Sequence, residues 1–298
     1  MTEQKPRTLA PLPIGMLIAA ALIYGLVFPF NQLAAEAGGT FFGHAFWQVF
    51  LAGVALYIVA MLRGQRVPFG WVWFRAYVVV GAFGFGLPMA LLTFVGPNLP
   101  TAIVSLVLAL SPTCTYLASI LLRIDRLSAF GIVGILLGFA GVAVVIAPDS
   151  AMPGTDAVSW FLLALIVPVF LAIANVSAAL LRPPEATSTV MGAGFLLGAA
   201  LSLLPLMLLF GQTYLPLSPE LMLPTVGSAA VNAVFIILFA ELVRRWGPTF
   251  FAQFNYLAVI AAIGWAALFF REEPGIHSLI ALALMATGVM ISELRHRR

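Results

Sequence analysis

Residues able to do acid–base, nucleophilic or metal chemistry are scarce in this chain of 298 residues. It holds 11 Asp or Glu, three His, one Cys and a single lysine, Lys5. A lone Cys114 can form neither an intrachain disulfide nor a paired-cysteine metal site. With the only lysine in the N-terminal tail there is no P-loop, which excludes an ATP-driven pump within this chain. His44, His277 and His296 are too scattered for a zinc helix, and no Gly-x-Ser-x-Gly elbow is present. No metal and no cofactor is expected. The acids are Glu3, Glu36, Asp125, Asp149, Asp156, Glu185, Glu220, Glu241, Glu272, Glu273 and Glu293, all in tails, loops or the last turns of apolar runs. Asp125 and Glu272 or Glu273 stand just before the fifth and tenth runs, where an anion favours a helix N-terminus, so they are expected to cap those helices. Glu241 lies deepest, with Arg244 and Arg245 at i+3 and i+4 as partners. His44 is expected at an interface. No nucleophile stands beside a base, which argues against an enzyme.

What the chain offers in quantity is neutral recognition. Polar side chains inside apolar runs cost free energy unless paired, so they mark packed or wet surface. Ser105, Ser111, Asn175, Ser177, Asn232, Gln253 and Asn255 stand out. For Asn175, Asn232 and Asn255 two readings stand: helix–helix bonding, worth about 0.6 kcal/mol, or the lining of a cavity. The serines are expected to bond their own backbone, with Ser111, beside Pro112, kept as a binding candidate. Tyr24, Phe28, Phe83, Phe85, Tyr116, Phe235, Tyr256 and Trp265 lie deep in the runs. Singly each is packing; as a set they would accept flat, apolar side chains at about 0.5–1.5 kcal/mol per ring pair, or organic cations. Trp71, Trp73, Phe74, Tyr77 and Trp246 fall at run ends, as an interfacial belt would. Gly81, Gly84, Gly86 and Pro88 form a cluster of helix breakers expected to act as a hinge, and Pro112 is a second such point. Pro168 and Pro205 are expected to interrupt the sixth and seventh helices.

The elements that position these residues are ten apolar segments: 12–33, 42–62, 71–95, 100–122, 128–147, 157–181, 187–210, 220–243, 248–270 and 276–291. Each is close to the roughly 20 residues a helix needs to cross about 30 Å of hydrocarbon. Apolar residues make up 62% of the chain and charged ones 8%, at a mean hydropathy of +1.09, more apolar surface than a soluble protein could hide. With a cytoplasmic N-terminus, every basic residue except Arg271 falls inside, as the positive-inside rule requires. The net charge of +3 therefore reflects topology and anionic lipid rather than nucleic acid. The first segment reads as a permanent span, not a cleaved leader. The expected fold is an all-α integral membrane protein with both termini cytoplasmic: tail 1–11, five spans over 12–147, an external linker 148–156, five spans over 157–291 and tail 292–298.

The two fives resemble each other. Pro100-Thr101 recurs as Pro248-Thr249, Arg123-Ile124-Asp125-Arg126 is matched by Arg271-Glu272-Glu273-Pro274, and Gly141-Val142 returns as Gly288-Val289. Tyr24-Gly25 pairs similarly with Ala174-Asn175. Five is odd, so the second set enters the membrane from the opposite face. Such inverted repeats are a hallmark of secondary transporters, with the solute site near the midplane between the repeats. Small-residue pairs, Gly134 with Gly138 and Gly194 with Gly198, are expected to pack helices within a monomer.

On these features the chain resembles the EamA-type branch of the drug/metabolite transporter superfamily, most closely its exporters of aromatic and other apolar amino acids. Tyr24-Gly25 stands where that family commonly has Trp-Gly, Gln48 nearest its helix-2 arginine, and Ile124-Asp125 at its Gly-Glu before helix 5. The resemblance implies alternating access through a cavity framed by helices 1, 3, 4, 6, 8 and 9. The partners implied are a small-molecule solute and the lipid bilayer of a bacterial-type plasma membrane, with the monomer as the working unit. Without a mid-span carboxylate, downhill export or exchange is expected. A flippase for lipid or lipid-linked substrates is the nearest rival, followed by a channel, which would show a ring of like residues, and an intramembrane enzyme.

Overall fold

The computed structural model describes residues 11–124, 126–146, 155–181, 187–246, 254–273 and 275–293, and within them every regular element is helical. An apolar chain in lipid must satisfy each backbone group within its own segment, and helices do so. Eight helices are long and apolar enough to cross a membrane: α1 (Leu12–Glu36), α2 (Phe41–Leu62), α3 (Trp71–Asn98), α4 (Thr101–Leu121), α5 (Ala129–Ile146), α6 (Asp156–Ala178), α7 (Ser188–Leu209) and α8, whose span is Pro219–Phe239. Two more, α9 (Phe254–Phe270) and α10 (Ile276–Glu293), carry shorter apolar stretches. The chain is a multi-pass membrane protein. The expected start of the ninth run at Pro248, the residues Asp125 and Gln253, and most of the 148–156 linker and of both tails lie outside the described residues.

Helix ends and helix pairing both repeat. α2 closes on Gly64 at φ 68 and α7 on Gly211 at φ 63, while α4 closes on Arg123 at φ 58 and α9 on Arg271 at φ 55. A left-handed residue after a helix lets the next amide reach back to orphan carbonyls. Gln65 N–H donates to Ala60 O at 2.9 Å, and Gln212 N–H donates to Met207 O at the same distance. Packing obeys the same exchange of helix k for helix k+5. α5 packs on α10 and α2 on α7; α1–α9 is matched by α6–α4, α8–α2 by α3–α7 and α1–α8 by α6–α3.

Close approach of α3 and α7 depends on missing side chains. A Cβ at Gly198 would fall inside contact distance of the Tyr77 carbonyl oxygen, and one at Gly81 would meet that of Phe195. Gly81 thus serves helix packing. On the other side of the bundle, a Cβ at Gly288 would lie 2.7 Å from Gly134 O, joining α10 to α5. Both small-residue pairs are used within one chain.

Prolines shape the long helices unequally. Pro88 has no N–H for the Gly84 carbonyl, and the backbone just before it, Ala82–Gly86, widens into a π-helical turn. Pro112 follows a 3₁₀ turn at Val107–Leu110 in α4. α6 breaks at Leu165, three residues before Pro168. α7, in contrast, runs through Pro205 from Ser188 to Leu209 without interruption, so the expected break there does not form. One missing hydrogen bond inside a well-packed helix is tolerated.

The expected cap by Glu272 goes elsewhere. Its carboxylate accepts from Thr101 N–H at 3.0 Å and Ala102 N–H at 3.3 Å, capping α4 rather than α10. The loop before α10 sits beside the start of α4, and α4's orphan donors claim the anion. Glu272→Ala is expected to cost about 1 kcal/mol and to speed amide exchange at Thr101 and Ala102. Unchanged exchange at both positions would refute the cap.

Candidate functional site

Helix α1 is broken where it faces α9. Leu26 N–H bonds to Ile23 O at 3.1 Å instead of reaching Leu22 O, and Pro29 offers no donor to Gly25 O. The Leu22 carbonyl is taken by the Trp265 indole N–H at 2.8 Å. Close contact at this point is possible because Gly25 lacks a side chain: a Cβ there would lie 3.0 Å from Ala261 Cβ. Trp265 is therefore committed to the α1 backbone.

Around the break, aromatic rings converge from three helices. Tyr24 and Phe235 have ring centroids 4.4 Å apart, Tyr24 and Phe254 5.5 Å, and Phe235 and Phe254 4.8 Å, with Phe28 6.5 Å from Tyr24 at a right angle. Of the expected aromatic set, Tyr24, Phe28 and Phe235 come together; Phe254 joins them and sequence reading missed it. Phe83 instead meets Phe170 of α6 at 5.7 Å, across the α3–α6 contact that mirrors α1–α8. Phe85 packs on the core. Tyr116 is tied to the α4–α5 turn, donating to Arg126 O at 3.0 Å and accepting from Ser128 N–H at 3.2 Å. Ser111 is buried, its carbonyl accepting from Thr115 Oγ1 at 2.8 Å. Asn175 is exposed and donates to Thr115 Oγ1 at 3.1 Å, linking α6 to α4. The side chains of Asn255 and Tyr256 lie outside the described residues.

A buried polar network runs beside the rings. Asn232 Nδ2 donates to Gln48 Oε1 at 3.1 Å, and Gln48 Nε2 donates to Asn31 Oδ1 at 3.1 Å. That same oxygen contacts His44 Nε2 at 3.1 Å; His44 Nδ1 lies 3.3 Å from Thr225 Oγ1, which lies 3.3 Å from Tyr214 OH. His44, Gln48, Thr225 and Asn232 are each 0% exposed. His44, expected at an interface, lies three residues into α2 and is enclosed by protein. The α7–α8 connection folds over the start of α2: Gln212 Oε1 accepts from Phe42 N–H at 3.1 Å and Trp47 Nε1 donates to Tyr214 O at 2.7 Å. Burial pushes the Tyr214 hydroxyl pKa up, an effect opposed by its bond to Thr225.

Two polar atoms in this region, Asn232 Oδ1 and Ser228 Oγ, are buried with no hydrogen-bond partner. They sit at i and i+4 on α8, with Phe235 three residues further along the same face. Helical spacing was the signal that could have found the network: Tyr24, Phe28 and Asn31 on α1, His44 and Gln48 on α2, Thr225, Ser228 and Asn232 on α8. A small, water-sized cleft lined by Phe28, Asn31, Gln32, Leu92, Gly96, Thr101 and Val104 adjoins it between α1, α3 and α4. Its rim is fastened by a hydrogen bond between Thr101 and Gln32 and by the Glu272 cap.

Two stretches, residues 12–147 and 158–294, each match the model of the EamA-like transporter family. Twenty-four solved chains are similar; one crystal structure matches over 95% of this chain and 96% of its own, at 21% identity and a TM-score of 0.64. That likeness concerns the fold alone. No curated protein matches significantly.

Proposed function

The chain belongs to the EamA-like transporter family, and on that premise we propose that it is a secondary exporter of aromatic and other apolar amino acids in a bacterial plasma membrane. It works by alternating access, through ten spans arranged as two inverted repeats with cytoplasmic termini. The observation that carries this reading is the unpartnered Asn232 Oδ1, fully buried on the α8 face that also presents Phe235 to Tyr24. An amide oxygen without a donor costs about 1–3 kcal/mol, a cost that a solute ammonium would offset. The adjoining rings suit a flat, apolar side chain at about 0.5–1.5 kcal/mol per contact.

The Gly84–Pro88 and Pro112 regions, with a π turn and a 3₁₀ turn, are the points where α3 and α4 would bend during the cycle. The Glu272–α4 cap and the Thr101–Gln32 bond would close the outer face.

Labelled phenylalanine in proteoliposomes tests this directly. Saturable flux is expected, and Phe235→Ala is expected to raise KM about 2- to 12-fold, the equivalent of one lost ring contact, with expression unchanged. Lipid scrambling without saturable amino-acid flux would replace this reading with the flippase.

A further inference from the structure

We propose that His44 is a proton-binding site, reached from the Glu272 end of the bundle through Tyr214 and Thr225, and that its proton competes with solute for the α8 polar face. The coupling to solute rests on the transport reading above; the proton site itself does not.

Hydrogen-bond direction fixes the ring's state. Asn31 Oδ1 can only accept, so His44 Nε2 carries hydrogen, and Nδ1 presents its lone pair to Thr225. Nδ1 is thus the basic atom in a chain of otherwise neutral amides and hydroxyls. That chain begins at Tyr214, half-buried between exposed Thr213 and Leu215, and ends at the unpartnered Asn232 Oδ1. A proton reaching Nδ1 makes an imidazolium with both N–H groups held: Nε2–H by Asn31, Nδ1–H by Thr225 Oγ1. Thr225 has two lone pairs, so it accepts from His44 and Tyr214 together, and only its own hydrogen turns away. No other bond changes.

Among the described residues, no charged side chain joins the hydrogen bonds around His44. α1 presents Asn31, α8 presents Thr225, and the α7–α8 connection presents Tyr214, which is titratable but neutral. Charged groups on the packed elements stand at helix ends: Glu36 on α1 and Glu220 on α8 at the same end as His44, and Arg63 after α2, Arg75 at the start of α3 and Glu241 on α8 at the other. An imidazolium at His44 and an ammonium at Asn232 are like charges joined by two amides, Asn31 and Gln48. Each disfavours the other, so occupancy by one expels the other, which makes the site an exchanger of proton for solute.

The test uses proteoliposomes and, independently, ring ¹⁵N NMR of histidine-labelled protein in nanodiscs, with His44 assigned through His44→Gln. Wild type is expected to accumulate labelled phenylalanine against its gradient when a pH difference is imposed. His44→Gln is expected to lose at least about tenfold of that accumulation. Thr225→Val, which cuts the path but spares the ring, is expected to slow pH-driven uptake. Undiminished pH-driven accumulation in His44→Gln overturns the proposal. If wild type moves no phenylalanine at all, the transport reading fails, and NMR then decides the site alone. A His44 ring that gains a proton reversibly as pH falls, with the fold intact and with slower exchange in Thr225→Val, supports it. A ring that stays neutral until the protein unfolds overturns it.

Discussion

Gly198→Ala is expected to prevent recovery of a monodisperse protein, whereas Gly264→Ala is expected to be neutral or slightly stabilising. The same added methyl has opposite consequences because of what lies beside each position. At Gly198 the new Cβ would press into the Tyr77 carbonyl and carbon, backbone atoms that cannot swing aside. Gly81 makes the reciprocal approach from α3, so the two helices would have to separate along this seam. Overpacking of this kind costs about 1–3 kcal/mol or more, and in lipid no hydrophobic gain returns the difference, since helix association there depends on close packing itself. At Gly264 nothing lies within 4 Å, so alanine brings only its better helix propensity, about 0.5–1 kcal/mol. Size-exclusion profiles and thermal unfolding in detergent would read both. Equal behaviour of the two variants would show that the α3–α7 seam is not a packing constraint.

How much of this molecule the sequence discloses depends on whether the information is local. Apolar run length placed the helices, since hydrocarbon thickness fixes how long a span must be. Gly84, Gly86 and Pro88 disclosed an irregular stretch in α3 because the missing N–H of a proline is a property of one residue. Pro205 shows the limit of that argument: the same residue type sits in a helix that continues unbroken. Tyr24, Phe28 and Phe235 were legible as deep aromatics, but not that they meet one another while Trp265 is spent on the Leu22 carbonyl. The enclosure of His44 was hidden for a related reason. Its distance from the end of a run suggested an interface, yet burial is decided by what covers it, and Gln212 and Tyr214, about 170 residues away in the chain, do the covering. Glu272 failed likewise: the helix it caps follows from packing, not from which helix comes next.

Asn31→Ala is expected to be the most damaging polar substitution in the protein. Its side-chain oxygen receives both the His44 ring N–H and one Gln48 amide hydrogen, while its Nδ2 lies 3.9 Å from Met89 Sδ. Removing it orphans two donors on side chains that are 0% exposed, where water cannot substitute. At about 1–3 kcal/mol per unsatisfied group, the loss is expected to exceed about 2 kcal/mol. That is well above the ~0.6 kcal/mol typical of a single interhelical hydrogen bond in a membrane, where one partner usually finds another. A double-mutant cycle separates this cause from the simple loss of volume. Gln48→Leu on the Asn31→Ala background removes one of the orphaned donors, so the pair should cost less than the sum of the singles by about 1 kcal/mol. Additive losses would mean that Asn31 merely fills space. Its position would then matter less than its neighbours suggest, because an oxygen shared between α1 and α2 is what fixes the rotation of those two helices against α8. With that oxygen gone, Asn232 keeps its partner on Gln48 only if Gln48 stays in place, so the orientation of the unpartnered Asn232 oxygen on the α8 face depends on a residue one helix further away.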